Sequence, residues 1–309
     1  MFTTFREPRA FLAATQALAA ADEAHFGMPL GLIADLTARV ADGRAALVER
    51  DLFLGVLALA SEPRALVVKT IADRALIAEG PAPASDAAWR DAAVALAAHA
   101  PRLPRVFGTR ALLARFEPLW RAATQARVRA TSAMRLHRLD QLREPGACSG
   151  RMRRATEADL ELVRHWMWRF AIDVRDAPET SSPPTHVPQL AEGRVFLWED
   201  PEPVCMTAWA RPLAHSASIN SVYTPPEQRG KGYAAALVAA VSRGLLEGDP
   251  AVTKHGTGTL APRRFLCLYT DMHNPTANRL YARLGYTALS DWDALHFEYP
   301  ASPPRDDAR

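Results

Sequence analysis

The stretch Arg229-Gly230-Lys231-Gly232-Tyr233-Ala234 decides how this sequence is read. It follows a strand-like run, Ile219 to Tyr223, and a break at Pro225-Pro226. It opens a helix-like run that reaches about Leu246, with Leu237, Val238, Val241 and Leu245 on one stripe. A glycine turn feeding a helix leaves the first backbone N–H groups without partners inside the helix. Together with the helix dipole they form a seat for an anion such as phosphate. Arg229 and Lys231 add positive charge to that seat.

Other readings of the same glycines compete. Gly230-Lys231-Gly232-Tyr233-Ala234-Ala235 fits G-x-G-x-x-A, a dinucleotide fingerprint, which needs a strand running straight into the first glycine. Here Thr224 to Arg229, with two prolines, intervenes, and too little chain follows for the further β-α units. A nucleotide-triphosphate loop needs Gly-Lys-Ser/Thr, and Gly232 follows Lys231 instead. A helix entry with no ligand is the plain alternative.

What separates these is a second segment about forty residues on, Asn274-Pro275-Thr276-Ala277-Asn278-Arg279-Leu280-Tyr281, ending in Leu284-Gly285-Tyr286. Asn274 then Pro275 is a strong helix start, and Gly285 stops the helix. The two segments in this order resemble the acetyl-CoA-binding core of the GNAT N-acetyltransferase superfamily. That family's phosphate motif, Q/R-x-x-G-x-G/A, falls on Arg229, Gly232 and Ala234.

The resemblance implies that the backbone amides of Gly230, Lys231, Gly232, Tyr233 and Ala234 hold the cofactor's pyrophosphate, beside Arg229. It implies that the strand at Val222, Tyr223 and Thr224 pairs with the pantetheine arm. It also places Asn274 and Asn278 at that arm, and the Tyr281 hydroxyl at the thioester sulfur as general acid to the departing thiolate. The implied reaction is transfer of the acetyl group of acetyl-CoA to a primary amine, attacked directly in a ternary complex. The acceptor is a small-molecule or peptide amine, and no metal takes part. A non-catalytic acyl-CoA-binding sensor or scaffold using the same seat is the alternative. No base is named by the sequence: Asp271 ends a strand near the cofactor segment, Glu227 sits in the turn itself, and His215, His273, Glu199 and Glu298 are weaker candidates.

Element order along residues 151–300 predicts an α+β domain: a mixed, mostly antiparallel sheet with crossover helices, the acyl-CoA N-acyltransferase fold. Thr156 with Asp159 resembles a capping box ahead of a helix carrying Leu160, Val163, Trp166, Met167 and Phe170. Residues 177–188 read as a loop. Val195 to Trp198 and Val204 to Ala210 read as a hairpin, Ser216 to Tyr223 and Phe265 to Thr270 as strands. Gly248 to Arg264 reads as a loop, Pro275 to Leu284 as a helix, and strands surround Tyr286 and Leu295 to Tyr299. Glu144 to Gly150 has linker composition, giving an N-terminal domain at 1–146, and the tail 301–309 reads as disordered.

In the N-terminal half, Phe11 to Leu36 reads as helical with a break at Gly27 to Pro29, and Leu52 to Leu59 as another helical piece. Leu66 to Lys69 and Arg74 to Ile77 read as paired strands, Trp89 to Ala98 and Ala111 to Leu119 as helices, and Ala133 to Leu139 as a strand. That alternation parallels the C-terminal half without a glycine turn, so it predicts a degenerate second copy of the fold lacking a cofactor seat.

Composition narrows the class. The 309 residues are 49% hydrophobic, enough for a substantial core, and no apolar run approaches the ~20 residues of a membrane span. The start lacks the build of a signal peptide. Cys148, Cys205 and Cys267 have no close pair, read as free thiols and give no zinc pattern, so a cytoplasmic protein is expected. Net charge is +3, with ten arginines against Glu117 and Asp140 between Arg102 and Arg143. No aromatic-interleaved motif accompanies that run, and lysine is scarce throughout, so arginine usage rather than a nucleic-acid surface explains it. The oligomeric state is not legible.

Overall fold

The computed structural model describes residues 1–43, 52–71, 73–174, 176, 179–256 and 258–300. The tail expected to be disordered lies outside the described residues, as do 177 and 178 of the expected loop.

The chain forms two compact units, Met1–Met134 with Asp291–Arg309, and Arg135–Ser290. The division therefore does not fall at Glu144–Gly150. It falls inside two long strands, where an unbroken strand pattern gives no compositional signal.

The first unit contains β1 (Phe2–Phe5), α1 (Pro8–Ala14), α2 (Gln16–Ala21), α3 (Glu23–Ala41), β2 (Phe53–Leu59), β3 (Glu62–Ile71), β4 (Arg74–Glu79), α4 (Asp86–His99), β5 (Arg105–Thr109), α5 (Arg110–Thr124) and the start of β6 (Arg127–Leu139). The second takes the end of β6, then β7 (Arg151–Arg154), α6 (Leu160–Asp173), α7 (Pro188–Ala191), β8 (Val195–Glu199), β9 (Pro203–Ala210), β10 (Ser216–Tyr223), α8 (Tyr233–Glu247), α9 (Pro250–Thr253), the short pair β11 (Lys254–His255) and β12 (Gly258–Thr259), β13 (Phe265–Asp271), α10 (Pro275–Arg283) and the start of β14 (Thr287–Glu298), whose end belongs to the first unit.

In the first unit β1, β2, β3, β4, β5 and β14 lie side by side, antiparallel except for β4 against β5. In the second, β7, β8, β9, β10, β13 and β6 lie in that order, with β10 and β13 parallel. Each unit thus carries a parallel, helix-connected pair, β4 with β5 and β10 with β13, among mostly antiparallel neighbours, as the element order predicts for the C-terminal half.

Several local expectations change. The expected helical piece Leu52–Leu59 holds the strand β2 instead; its run Phe53–Leu57 is buried, and a short apolar run has no periodicity to separate the two states. Gly55 within it leaves room for the Phe2 ring, which a Cβ would meet at 2.5 Å. Gly27–Pro29 does not break the first helical stretch. The breaks are at Thr15, whose hydroxyl bonds back to Phe11 O at 2.9 Å, and at Asp22, which caps α3 by accepting His25 N at 3.0 Å. Gly27 and Pro29 are buried inside α3, where packing overrides propensity. The expected loop after Gly248 contains α9, capped by Asp249 on Ala251 N at 2.8 Å, and the β11–β12 pair. The strands around Tyr286 and Leu295 are one strand, β14.

The second unit has a core on each face of its sheet. One packs α8 and α10 on Trp209, Ala217, Ile219, Leu266 and Leu268. The other packs α6 and α7 on Val195, Leu197, Met206, Ala208 and Tyr223. Trp209 and Ala208 are neighbours in β9 yet enter different cores, as strand alternation requires.

Candidate functional site

The parallel ladder between β10 and β13 is short. Ser216, Ala217 and Ser218 pair with Phe265, Leu266 and Cys267, and no further rung follows. On its other side β10 pairs with β9 out of register between Asn220 and Tyr223, and Ser221 there has a φ of 51°. A bulge of this kind turns a strand and leaves backbone N–H and C=O groups without ladder partners. The end of β10, with Val222 and Tyr223 and then Thr224 just beyond it, makes no rung with β13, so a cleft opens between the two strands.

From that end the chain passes through Pro225 and the single turn Pro226–Gln228 to Arg229, which is extended. Gly230 (φ 82°) and Gly232 (φ 91°) both take the left-handed conformation that glycine adopts without penalty. A Cβ on Gly230 would meet nothing within 4 Å. Helix α8 begins at Tyr233 with no side chain capping it. An exposed, uncapped helix N-terminus behind two left-handed glycines fits a diphosphate well.

The side chains of the turn are largely committed to one another. Arg229 Nη2 donates to Asp173 Oδ2 at 2.7 Å and its Nε to Thr224 O at 2.9 Å, tying the turn to the end of α6 and the end of β10. Lys231 Nζ donates to Gln228 Oε1 at 2.8 Å. The Tyr233 ring is buried and its hydroxyl donates to Asp200 Oδ2 at 2.6 Å, so only its amide is left for the mouth of α8. Hydrogen bonds from Ser149 and Tyr233 hold the Asp200 carboxyl below its usual range. Ala234 is half-buried in the first turn of α8. Cys148, not singled out by the sequence beyond being a free thiol, lies against this turn: its thiol reaches Lys231 O at 3.6 Å, and a Cβ on Gly232 would sit 3.7 Å from its Sγ.

Around the cleft, Val222 packs toward the α8 core, while Tyr223 enters the α6 core, its ring 6.0 Å from that of Trp166. Thr224 Oγ1 donates to Cys205 Sγ at 3.2 Å. Burial pushes the Cys205 thiol up to about 12, so it stays protonated.

Asn274 caps α10, accepting Ala277 N at 3.0 Å. Asn278 is bound internally: it accepts Thr270 Oγ1 at 2.8 Å and donates to Asp271 O at 2.9 Å and Asn274 O at 2.8 Å. Behind it, His137 Nε2 lies 3.1 Å from Thr270 Oγ1. Since Thr270 gives its proton to Asn278, the imidazole donates. One turn further on, Tyr281 is buried, its ring edge-on to Tyr286 at 5.7 Å. Its hydroxyl has no hydrogen bond among the described residues, and burial raises its pKa, so the phenol holds its proton.

The candidate bases are scattered. Asp271 accepts His273 N at 2.8 Å at the head of α10, Glu199 is paired with Arg153, and Glu298 belongs to the first unit. Glu227 lines a cavity of about 390 Å3 between α6 and the exit of β10, with His165, Trp166, Arg169 and Tyr223. Among the described residues no three His, Cys, Asp or Glu side chains gather as a metal site, and no helix is long and apolar enough to cross a membrane.

The first unit lacks an equivalent seat. The turn between β4 and α4 is Gly80-Pro81-Ala82-Pro83-Ala84-Ser85, and Ser85 caps the helix by accepting Ala88 N at 3.2 Å. Glu79 Oε1 takes Ala84 N at 2.8 Å and Trp89 Nε1 at 2.9 Å, while Arg115 binds both Glu79 and Asp86. The helix mouth is thus capped by Ser85, with the Glu79 carboxylate holding the turn before it.

No protein-family model and no curated protein matches the sequence. Solved structures match over most of the chain. A GCN5-related N-acetyltransferase from Kribbella flavida is 19% identical, covering 86% of this chain and 96% of its own, with a TM-score of 0.52. A GNAT-family acetyltransferase from Colwellia psychrerythraea is 12% identical over 96% of this chain and 100% of its own, also at 0.52. A tandem GNAT protein from the clavulanic acid biosynthesis pathway is 14% identical over 98% and 99% of the two chains, at 0.50. These likenesses show the fold: the chain shares that of solved GNAT N-acetyltransferases, one of which is itself a tandem GNAT protein.

Proposed function

We propose that the second unit transfers the acetyl group of acetyl-CoA to a primary amine, by direct attack in a ternary complex. The observation that carries this is the three-rung ladder of β10 and β13, opening toward a glycine turn and an uncapped helix N-terminus. Acetyl-CoA supplies the activated acyl thioester.

The chain's own groups have separate tasks. The amides of Gly230, Lys231, Gly232, Tyr233 and Ala234, aligned with the α8 dipole, hold the diphosphate, and the Lys231 ammonium adds charge. Arg229 acts through the turn, fixing it to Asp173 and Thr224. Backbone groups at Val222, Tyr223 and Thr224 meet the amide-bearing arm, and an N–H there stabilises the developing oxyanion. Asn274 reaches the same arm from the head of α10, whereas Asn278 serves it by holding that helix on β13. Tyr281, kept neutral by burial, gives its proton to the leaving thiolate. The acceptor is a small-molecule or peptide amine. The first unit, its helix mouth capped by Ser85, holds no acyl-CoA.

Calorimetry with acetyl-CoA tests the donor assignment. Wild type binds, and Gly232→Glu, which puts bulk and negative charge at the helix mouth, abolishes binding while the far-ultraviolet dichroism is retained. Unchanged affinity in that variant overturns the assignment. Binding without transfer to any primary amine leaves a non-catalytic acyl-CoA-binding protein.

A further inference from the structure

Ser216, Ser218 and Asn220 alternate with the apolar Ala217 and Ile219 along the first part of β10. Asn220 is paired across the ladder with Ala208, which belongs to the α6–α7 core, whereas Ile219 and its partner Trp209 belong to the α8–α10 core. Asn220 therefore projects on the α6 side of the sheet. It stands two residues past the last parallel rung, Ser218 with Cys267, and immediately before the bulge. Carrying the register across the cleft by two more residues sets Tyr269 of β13 opposite Asn220 on the same side.

The Asn220 side-chain oxygen Oδ1 is buried and has no hydrogen-bond partner among the described residues. A buried amide oxygen left without a donor is destabilising by about 1–3 kcal/mol, so such atoms in native proteins call for an explanation. Here the explanation follows from the position. The mouth of α8 and Tyr281 lie with the α8–α10 core. A nucleophile reaching the carbonyl held in the cleft must come from the other side, where Asn220 projects. The cavity lined by Trp166 and Tyr223 opens on that side as well.

Building on the acetyl-transfer reading, we propose that Asn220 receives the acceptor amine, its Oδ1 taking one amine N–H and so aiming the nitrogen lone pair at the acyl carbon. The choice of residue suits the chemistry. The attacking amine must be neutral, and a neutral amide oxygen accepts from an N–H without favouring the ammonium form as a carboxylate would. An acceptor so held needs one N–H to donate to Asn220 besides the proton it loses, which selects primary amines over secondary ones.

The test is steady-state transfer from acetyl-CoA to butylamine, spermidine, lysine and glycinamide, beside calorimetric affinity for acetyl-CoA. Asn220→Leu keeps the volume and removes the acceptor oxygen, whereas Asn220→Asp keeps an acceptor oxygen. The expected result is a KM for the best amine raised about tenfold or more in Asn220→Leu and within about threefold of wild type in Asn220→Asp, whose kcat near neutral pH falls because the carboxylate favours the ammonium form. Acetyl-CoA affinity should stay at the wild-type value in both, which also shows that they fold. A wild-type KM for the amine in Asn220→Leu overturns the proposal, and so does a loss confined to acetyl-CoA affinity, which would put Asn220 on the cofactor. If wild type binds no acetyl-CoA, the underlying assignment fails instead, and with it the amine role.

Discussion

The Arg229 guanidinium donates to the Asp173 carboxylate at 2.7 Å and so joins the glycine turn to the last residue of α6. The arginine that opens this turn is thus a brace on it. Both partners are substantially exposed, 51% and 35%, so the pair by itself contributes at most about 1 kcal/mol. Asp173→Asn is expected to weaken acetyl-CoA binding by no more than about fivefold. Arg229→Ala also loses the bond to Thr224 O and is expected to weaken it by about tenfold or more. Calorimetry on both variants separates the two; equal effects would show that the ion pair alone orders the turn.

Tyr281→Phe is expected to lower kcat about a hundredfold while acetyl-CoA affinity stays within about twofold. The Tyr281 hydroxyl makes no hydrogen bond among the described residues, so its removal leaves the melting temperature nearly unchanged. Wild-type turnover would reduce Tyr281 to core packing.

Acid sensitivity should concentrate at Asp159. Its carboxylate accepts both Arg153 terminal nitrogens at 2.7 Å and Thr156 N at 2.8 Å. Its pKa falls from 3.8 to about 2, chiefly through the Arg153 hydrogen bonds. A carboxyl depressed on folding stabilises the fold fully above its unfolded value, and that contribution is lost as pH falls from 3.8 toward about 2. Asp159→Asn should therefore melt several degrees lower near neutral pH, and the difference from wild type should close toward about pH 2. A difference independent of pH would exclude this linkage.

One acetyl-CoA should bind per chain. The first unit's helix mouth is capped by Ser85 and faced by Glu79 and Asp86. Ser85→Ala should lower stability by about 1 kcal/mol without changing stoichiometry. Two sites per chain in wild type would refute the closed reading of the first unit.

The sequence alone determined the glycine-hinged entry to α8, the Asn274-Pro275 cap of α10 and the strand–helix order of the second unit, because caps, left-handed glycines and alternation act over a few residues. The capping box at Thr156 and Asp159 is present as its spacing implies. Tertiary structure decided what lies beyond that range. Phe53–Leu59 became a strand because its burial comes from neighbouring strands, and the boundary between units fell inside β6 and β14, where local pattern continues unbroken. Asn278, half-way along an amphipathic helix, looks like a free polar group until β13 supplies Thr270 and Asp271 O. Asn220 looks like any polar residue in a strand until the ladder beside it ends two residues early and its oxygen is left buried without a donor. Pairing between distant strands fixes which polar atoms are satisfied, and no local stretch of sequence carries that information.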